Sequence, residues 1–399
     1  MSTLRVDAIR HNSATSDAIT THSDGTASAK IIDVGGGPLS NRNLCINGAD
    51  MMVAQRGTST TGLQNTGGVY TIDRFAHRRG GTWANAVWKD EQVNSGTGLF
   101  KKALKKTTTT AEGSAAGTGQ YVMIGHYIEA QDSIAAFGDG TAEAKSFTVS
   151  FYVKASIATT YCLHVATSHL STNKAYMKQF TVNNPNVWER KTCTIPAITN
   201  SIGTVNGADT DTGIRFHWVL DAPTGSQAAD TWFTHTAFDF PPGQSPSGYA
   251  NTLNATFELG GVQIEAGSVA TDLEHKSFAQ ELALCQRYAY VINVTNVDAV
   301  DRSYGYAYSD TILRGLFYLP QAMRTYPSYT GTATDVNFYA SNNSAYFHLD
   351  DIVNYIGSNY SPFPNTFAFG TTTSSITGGH AGILLGREDN GKITFDAEL

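Results

Sequence analysis

The sequence predicts an all-β protein: a sandwich of two antiparallel sheets, a smaller β domain after it, and one short α-helix between them. Three observations carry this. Apolar and polar residues alternate over many short segments, the period of a half-buried strand. The composition is that of a turn-rich β chain, with 38 glycines in 399 residues, 41% hydrophobic residues and only 15% charged ones. A single stretch, "SFAQELALCQRYAY" at 277–290, carries a helical period, with Phe278, Leu282, Cys285 and Ala289 at i, i+4, i+7 and i+11.

Residues 1–40 hold short alternating pieces (Leu4, Val6, Ala8; Ala18, Thr20; Ala29, Ile31), an Asp24-Gly25 turn signal and a closing Gly-Gly-Gly-Pro linker. So few large apolar residues do not offset chain entropy in one copy. The segment is expected to gain order by pairing with other chains, a disordered tail being the alternative.

Residues 41–275 read as the sandwich. In "SFTVSFYVKAS", Phe147, Val149, Phe151 and Val153 point one way, and Thr148, Ser150, Tyr152 and Lys154 the other. In "TGIRFHWVLDAP", Ile214, Phe216, Trp218 and Leu220 alternate with Arg215, His217 and Val219. "ATFELGGVQIEAG" adds a strand whose Gly-Gly pair signals a bulge. Asn47-Gly48, Asp139-Gly140 and Asn206-Gly207 mark turns. All five tryptophans lie here, with Trp188, Trp218 and Trp232 assigned to the core.

Residues 276–290 form the linking helix. Ser277 and Gln280 fit a capping box, and Arg287 sits where a helix C-terminus favours a cation. Such a helix is too short to persist alone, so it must dock on a sheet or on copies of itself. Residues 291–399 change character: no tryptophan occurs, while twelve of the nineteen tyrosines fall between Tyr288 and Tyr360. "LFYLPQAMRTYPSYTGTAT" reads as a strand broken by Pro320 and Pro327, and "GILLGREDNGKITFDAEL" as a hairpin turning at Asn390-Gly391. This is the second, smaller β domain.

A formal charge of −7 supplies no basic field for nucleic acid. No apolar run reaches the roughly 18–20 residues that span a bilayer, so membrane insertion is not expected. The start lacks the apolar centre of a signal peptide, which predicts assembly in a cytoplasm. Cys45, Cys162, Cys193 and Cys285 are far apart and read as buried free thiols, with no cofactor implied.

Several stretches resemble a known family. "NRNLCINGADMMVAQRGTS" followed by "YTIDRF" is similar to the opening strand of a module in tail-fibre and receptor-binding proteins of tailed bacteriophages. "GGVQIEAGSVATDLEHKSFAQELALCQRYAY" resembles its closing strand and helix. "SFTVSFYVKAS" and "WERKTCTIPA" are similar to its middle strands, "LPQAMRTYPS" to its post-helix strand, and "FDAEL" to its C-terminus. The first residues resemble fibre N-termini that attach to the virion. The resemblance implies a jelly-roll, carbohydrate-binding-type module in a homotrimeric fibre, located in the virion and partnered by other virion proteins and a host surface glycan. It also implies a buried structural pair between Asp73 and Arg74.

Sugar sites combine an aromatic platform with a few polar groups. Tyr152, Lys154, Arg215 and His217 point away from the predicted core and are candidates on one outward sheet face. Trp83 and Trp88 are candidates near a loop edge, with core burial as the alternative. Tyr304, Tyr306 and Tyr308 alternate in "SYGYAYS" and form a rival site at the tip, apt for stacking on sugars or for packing between chains. Asp209 and Asp211 are a weak Ca²⁺ candidate against a solvated turn. Lys101, Lys102, Lys105 and Lys106 form the one dense basic run, suited to anionic glycans or to plain solvation. No nucleophile elbow, His-Glu-x-x-His motif or P-loop occurs, and no 20–30-residue repeat of a glycan-cleaving spike, so a non-enzymatic protein is expected. The alternatives are a purely architectural fibre or head decoration protein and, behind it, a polysaccharide depolymerase with paired carboxylates.

Overall fold

The computed structural model describes residues 40–138, 141–170, 172–198, 210–225, 229–235, 247–294 and 303–330, with shorter pieces at 8–9, 19–23, 26–29, 336–340, 346–348, 351–353, 366–372, 378–386 and 391–399. Near the N-terminus, β1 (Ala8–Ile9), β2 (Ile19–Thr21) and β3 (Ala27–Ala29) pair antiparallel within one chain. The Asp24-Gly25 turn lies outside the described residues, as do Asp139-Gly140 and Asn206-Gly207.

The sandwich runs through β4 (Ser59–Leu63), β5 (Val69–Ile72), β6 (Phe75–Gly80), β7 (Val87–Asn94), β8 (Lys102–Thr110) and β9 (Tyr121–Glu129). After α1 (Ala130–Phe137) come β10 (Phe147–Ala155), β11 (Thr160–Thr167), β12 (Lys174–Thr181), β13 (Glu189–Ile195), β14 (Thr212–Asp221), β15 (Phe233–Thr234) and β16 (Thr256–Ala266). One sheet has six strands in the order β13-β10-β16-β8-β7-β4, the other seven in the order β15-β12-β11-β14-β9-β6-β5. The chain passes repeatedly between the two sheets, and the result is an antiparallel jelly-roll sandwich. The predicted inward residues hold: Phe147, Val149, Phe151, Val153, Ile214, Phe216, Trp218 and Leu220 are all fully buried in one core. The helix α1 was not expected; it buries Ala130, Ser133 and Phe137 and ends on Gly138 in the left-handed conformation.

The Gly-Gly signal is a bulge. The β10–β16 register slips between Ser150 and Tyr152, so Phe257 and Leu259 face the core before it and Val262, Ile264 and Ala266 after it. A Cβ at Gly260 would stand 2.4 Å from Phe100, and one at Gly261 2.8 Å from Tyr152, so the bare backbone seats both rings. The basic run is not wholly solvated. Lys106 is fully buried on the core side of β8, where it binds the Asp90 carboxylate and contacts His77 Nδ1 at 2.7 Å.

The two stretches that open and close the sandwich interlock. Arg42 Nε donates to Glu265 at 2.9 Å, Asn43 N to Glu274 at 2.7 Å, and Asn47 N to Glu281 at 2.7 Å. Glu281 belongs to α2 (Phe278–Gln286), whose capping box between Ser277 and Gln280 is present as expected. Its buried face differs from the expected one. Glu281 and Cys285 are buried while Phe278 is exposed, because the carboxylate is drawn inward to the Asn47 amide.

Beyond α2 lie β17 (Ala289–Val294), β18 (Ser303–Ser309), β19 (Ile312–Tyr318), β20 (Ser328–Thr330), β21 (Val336–Ala340), β22 (Tyr346–His348), β23 (Asp351–Val353), β24 (Thr366–Thr372), β25 (Ala381–Gly386) and β26 (Gly391–Asp396). They form a three-stranded sheet, β17-β26-β20, and a seven-stranded one, β22-β21-β25-β18-β19-β24-β23. The expected hairpin over 382–399 is therefore corrected: β25 and β26 belong to different sheets, and β26 pairs with the strand that leaves the helix. The breaks at Pro320 and Pro327 fall between β19 and β20 as expected.

Residues 396–399 clasp the sandwich. Arg74, fully buried in the β5–β6 turn, binds the Glu398 carboxylate, donates to Tyr127 O at 2.6 Å and lies 3.4 Å from the Tyr288 ring centroid. Arg56 reaches Asp396 at 2.9 Å, Glu398 at 3.3 Å and Asp73 at 3.5 Å. Asp73 and Arg74 thus do not pair with each other as the resemblance implied; adjacent residues in a turn diverge, and each finds a distant partner. Burial pushes the Asp73 carboxyl up to about 6, against the pull of Arg56 and Gln55.

Candidate functional site

Of the predicted sugar-contacting residues, Trp83 and Trp88 are core. Both are buried and meet edge to face at 5.3 Å, out of reach of a surface ligand. The other four do not share a face. Tyr152 and Lys154 stand outward on the six-stranded sheet, Arg215 and His217 outward on the seven-stranded one. Strand alternation separates inside from outside but does not say which outside.

The outward face of the seven-stranded sheet is filled where His217 lies. His164 and His217 sit directly opposite on β11 and β14, with Nδ1 atoms 3.1 Å apart and rings stacked at 5.4 Å. Both are fully buried, alongside Cys162, Met177, Val219 and Met123, so His217 cannot serve an external ligand. Arg215 is half-buried and donates to Ser168 Oγ at 2.6 Å.

Burial, with His235 and Arg215 adding to it, drives His164 down to about 3; burial and His164 likewise hold His217 well below its ordinary 6.5. The unfolded chain takes up these protons below pH 6.5 and the native one does not. Stability therefore falls as pH drops below about 6.5, for His164 by about 1.4 kcal/mol per pH unit toward 3, and His217 adds to the fall. Urea midpoints measured across that range check this, and His164→Gln flattens the slope.

On the six-stranded sheet, Tyr152 and Lys154 join Phe100 and Trp188. Trp188 is half-buried rather than core; its ring meets Phe100 at 5.1 Å and the Lys154 ammonium at 5.5 Å, and its indole N–H donates to Ser95 O at 2.9 Å. Phe100 also meets Tyr152 at 5.3 Å. Register carries a row of charge away from this cluster: Lys154 opposite Glu258, Glu258 opposite Lys105, Lys105 opposite Glu91. Lys154 and Glu258 are paired at 3.1 Å.

The tip tyrosines are open to solvent. Tyr304, Tyr306 and Tyr308 on β18 are 65%, 46% and 54% exposed, while Ala307 between them is buried. Alternate residues stand about 7 Å apart along a strand. Tyr318, on the adjacent β19, is 70% exposed, and its exposure was not foreseen. Arg314 lies opposite Tyr306 in register and stacks on the Tyr308 ring, 3.6 Å from its centroid. The arrangement is a broad phenolic surface on paired strands.

Asp209 lies outside the described residues, and Asp211 is exposed just before β14. Among the described residues no three His, Cys, Asp or Glu side chains converge as metal ligands. All four cysteines are free and buried, with burial raising each thiol pKa.

No family model and no curated protein sequence matches the chain. Among solved structures, a family 11 carbohydrate-binding module from Clostridium thermocellum in complex with a β-1,3-1,4-mixed-linked tetrasaccharide is 14% identical, covering 54% of this chain and 99% of its own, with a TM-score of 0.26. The CBM22-1 xylan-binding domain from Paenibacillus barcinonensis Xyn10C is 9% identical, covering 58% of this chain and 99% of its own, with a TM-score of 0.28. The enzymatically active domain of bacteriophage CBA120 tailspike protein 4 is 10% identical, covering 56% of this chain and 21% of its own, with a TM-score of 0.27. Likeness at that level bears on no ligand or activity of this chain.

Proposed function

We propose that this chain is a non-enzymatic, homotrimeric fibre protein of a phage virion, attached to other virion proteins through its N-terminal segment, that adheres to host surface glycans through its C-terminal sheet. One observation carries the adhesive role: four tyrosines on neighbouring strands keep about half or more of their surface in water. Rings that exposed contribute little to folding, whereas their apolar faces and hydroxyl tips suit the CH faces and hydroxyls of sugar rings. Arg314 fixes Tyr308, which lowers the entropic cost of binding. Affinity arithmetic supports an oligomer. A millimolar sugar site is worth about 4 kcal/mol, and linking copies raises avidity by roughly 10²–10⁴.

The test is an array of bacterial surface polysaccharides probed with the purified full chain and with Tyr306→Ala. The expected result is binding that Tyr306→Ala weakens about tenfold, the loss of one ring stack. An array silent for the full chain favours a purely architectural fibre, and release of reducing ends would mark a depolymerase. Native mass equal to a single chain, 42.8 kDa, overturns the trimer.

A further inference from the structure

We infer that the outward end of the six-stranded sheet is a second, separate contact surface, which docks on an anionic phospholipid bilayer. Its centre is the Phe100–Tyr152–Trp188 cluster, and two rigid loop tips extend it. Leu99, 53% exposed, precedes Phe100, and Val187, 51% exposed, precedes Trp188. The contact of Phe100 with Trp188 brings the two tips together. Both are held in shape: Thr97 Oγ1 accepts from Leu99 N at 2.8 Å, and Glu189 accepts from Asn183 N and Asn184 N at 2.9 and 2.7 Å.

Three features select a lipid surface. Leu, Val, Trp and Tyr with lysines around them are the residues that settle at a bilayer interface, apolar body inward and polar end in water. The Trp188 N–H already has its acceptor in Ser95 O, so the ring enters an apolar layer with no donor left unsatisfied. The rim is cationic: Lys101 and Arg190 are exposed, and Lys154, which pairs with Glu258, is half-exposed. That rim repels the same patch on another copy and favours phosphate head groups.

The experiment is co-sedimentation of the full chain with vesicles of phosphatidylcholine alone and of phosphatidylcholine with one quarter phosphatidylglycerol. The anionic vesicles are expected to bind at least about tenfold more tightly, roughly fivefold being contributed by each engaged cation. Leu99→Ser with Val187→Ser lowers that binding about tenfold and leaves the thermal midpoint and native mass unchanged, as does Lys101→Glu with Arg190→Glu. Equal binding to both vesicles, no binding to either, or full binding by the Leu99/Val187 variant overturns the inference. So does a changed native mass in that variant, which would make the patch a contact between copies. Tyr306→Ala leaves vesicle binding intact, which separates this surface from the glycan site.

Discussion

Replacing Lys106 with methionine lowers the free energy of unfolding by about 3–5 kcal/mol, the cost of stripping a buried charge of its partner. Asp90 and Lys106 face each other on β7 and β8 inside the sandwich, both essentially without solvent contact. Burial pushes the Asp90 carboxyl up and the Lys106 ammonium down, and each partner counters the other's shift. His77 beside them is held neutral, first by burial and then by the Lys106 charge. With Lys106 gone, Asp90 keeps its desolvation cost and loses its compensation. The pair as a whole is another matter. Asp90 Oδ2 and His77 Nε2 make no hydrogen bond, so the site is incompletely satisfied. A double variant, Asp90→Leu with Lys106→Met, is expected within about 1 kcal/mol of the native protein or above it. Urea denaturation of the three proteins at neutral pH decides this; equal losses in the single and double variants would show that charge compensation is not what the pair supplies.

Replacing Arg74 with alanine is expected to cost about 3 kcal/mol and to loosen the C-terminal strand selectively. Arg74 joins Glu398, the Tyr127 carbonyl and the Tyr288 ring. The loss stays at the lower end of the range for a broken buried pair because Arg56 still reaches Glu398 at 3.3 Å. Tyr288 is itself tied down, its hydroxyl donating to Glu129 at 2.5 Å while Arg287 grips the same carboxylate at 2.7 and 2.8 Å. Hydrogen exchange should therefore report fast exchange at Ala397, whose N–H donates to Tyr288 O at 2.7 Å, with little change in β10 or β14. Uniform acceleration across the sandwich would contradict a local clasp.

Much of this architecture is legible in the chain. Alternation placed Phe147 to Val153 and Ile214 to Leu220 in the core, and Gly260-Gly261 announced the bulge that rephases β16. The capping box of α2 was equally plain. Long-range electrostatics was not. The buried carboxylate of Glu281 answers an amide 234 residues away, and no local pattern says so. Lys106 could have been placed, since it shares the period of Leu104 and its charge alone argued against the core. The same period called Tyr152 and His217 outward and was right for both, yet they lie on opposite sheets, because a strand's sequence records its faces and not its neighbours. Trp188 was misassigned to the core for the bland reason that tryptophans usually go there. The tip was legible in Tyr304, Tyr306 and Tyr308, where bulky rings against glycine and alanine admit one exposed side.

The C-terminal seven-stranded sheet, β22-β21-β25-β18-β19-β24-β23, has an unusual relation to its base. It is spliced into the small sheet at two places, with β18 and β19 issuing between β17 and β20, and β21 to β25 between β20 and β26. The base has pairings of its own, Ala289 with Asp396 through Val294 with Gly391 and Ser328 with Asp396 through Thr330 with Thr394. The base is thus a socket and the tyrosine-bearing sheet a cartridge. Changes confined to the cartridge's face therefore leave the backbone pairings of β17, β26 and β20 in place.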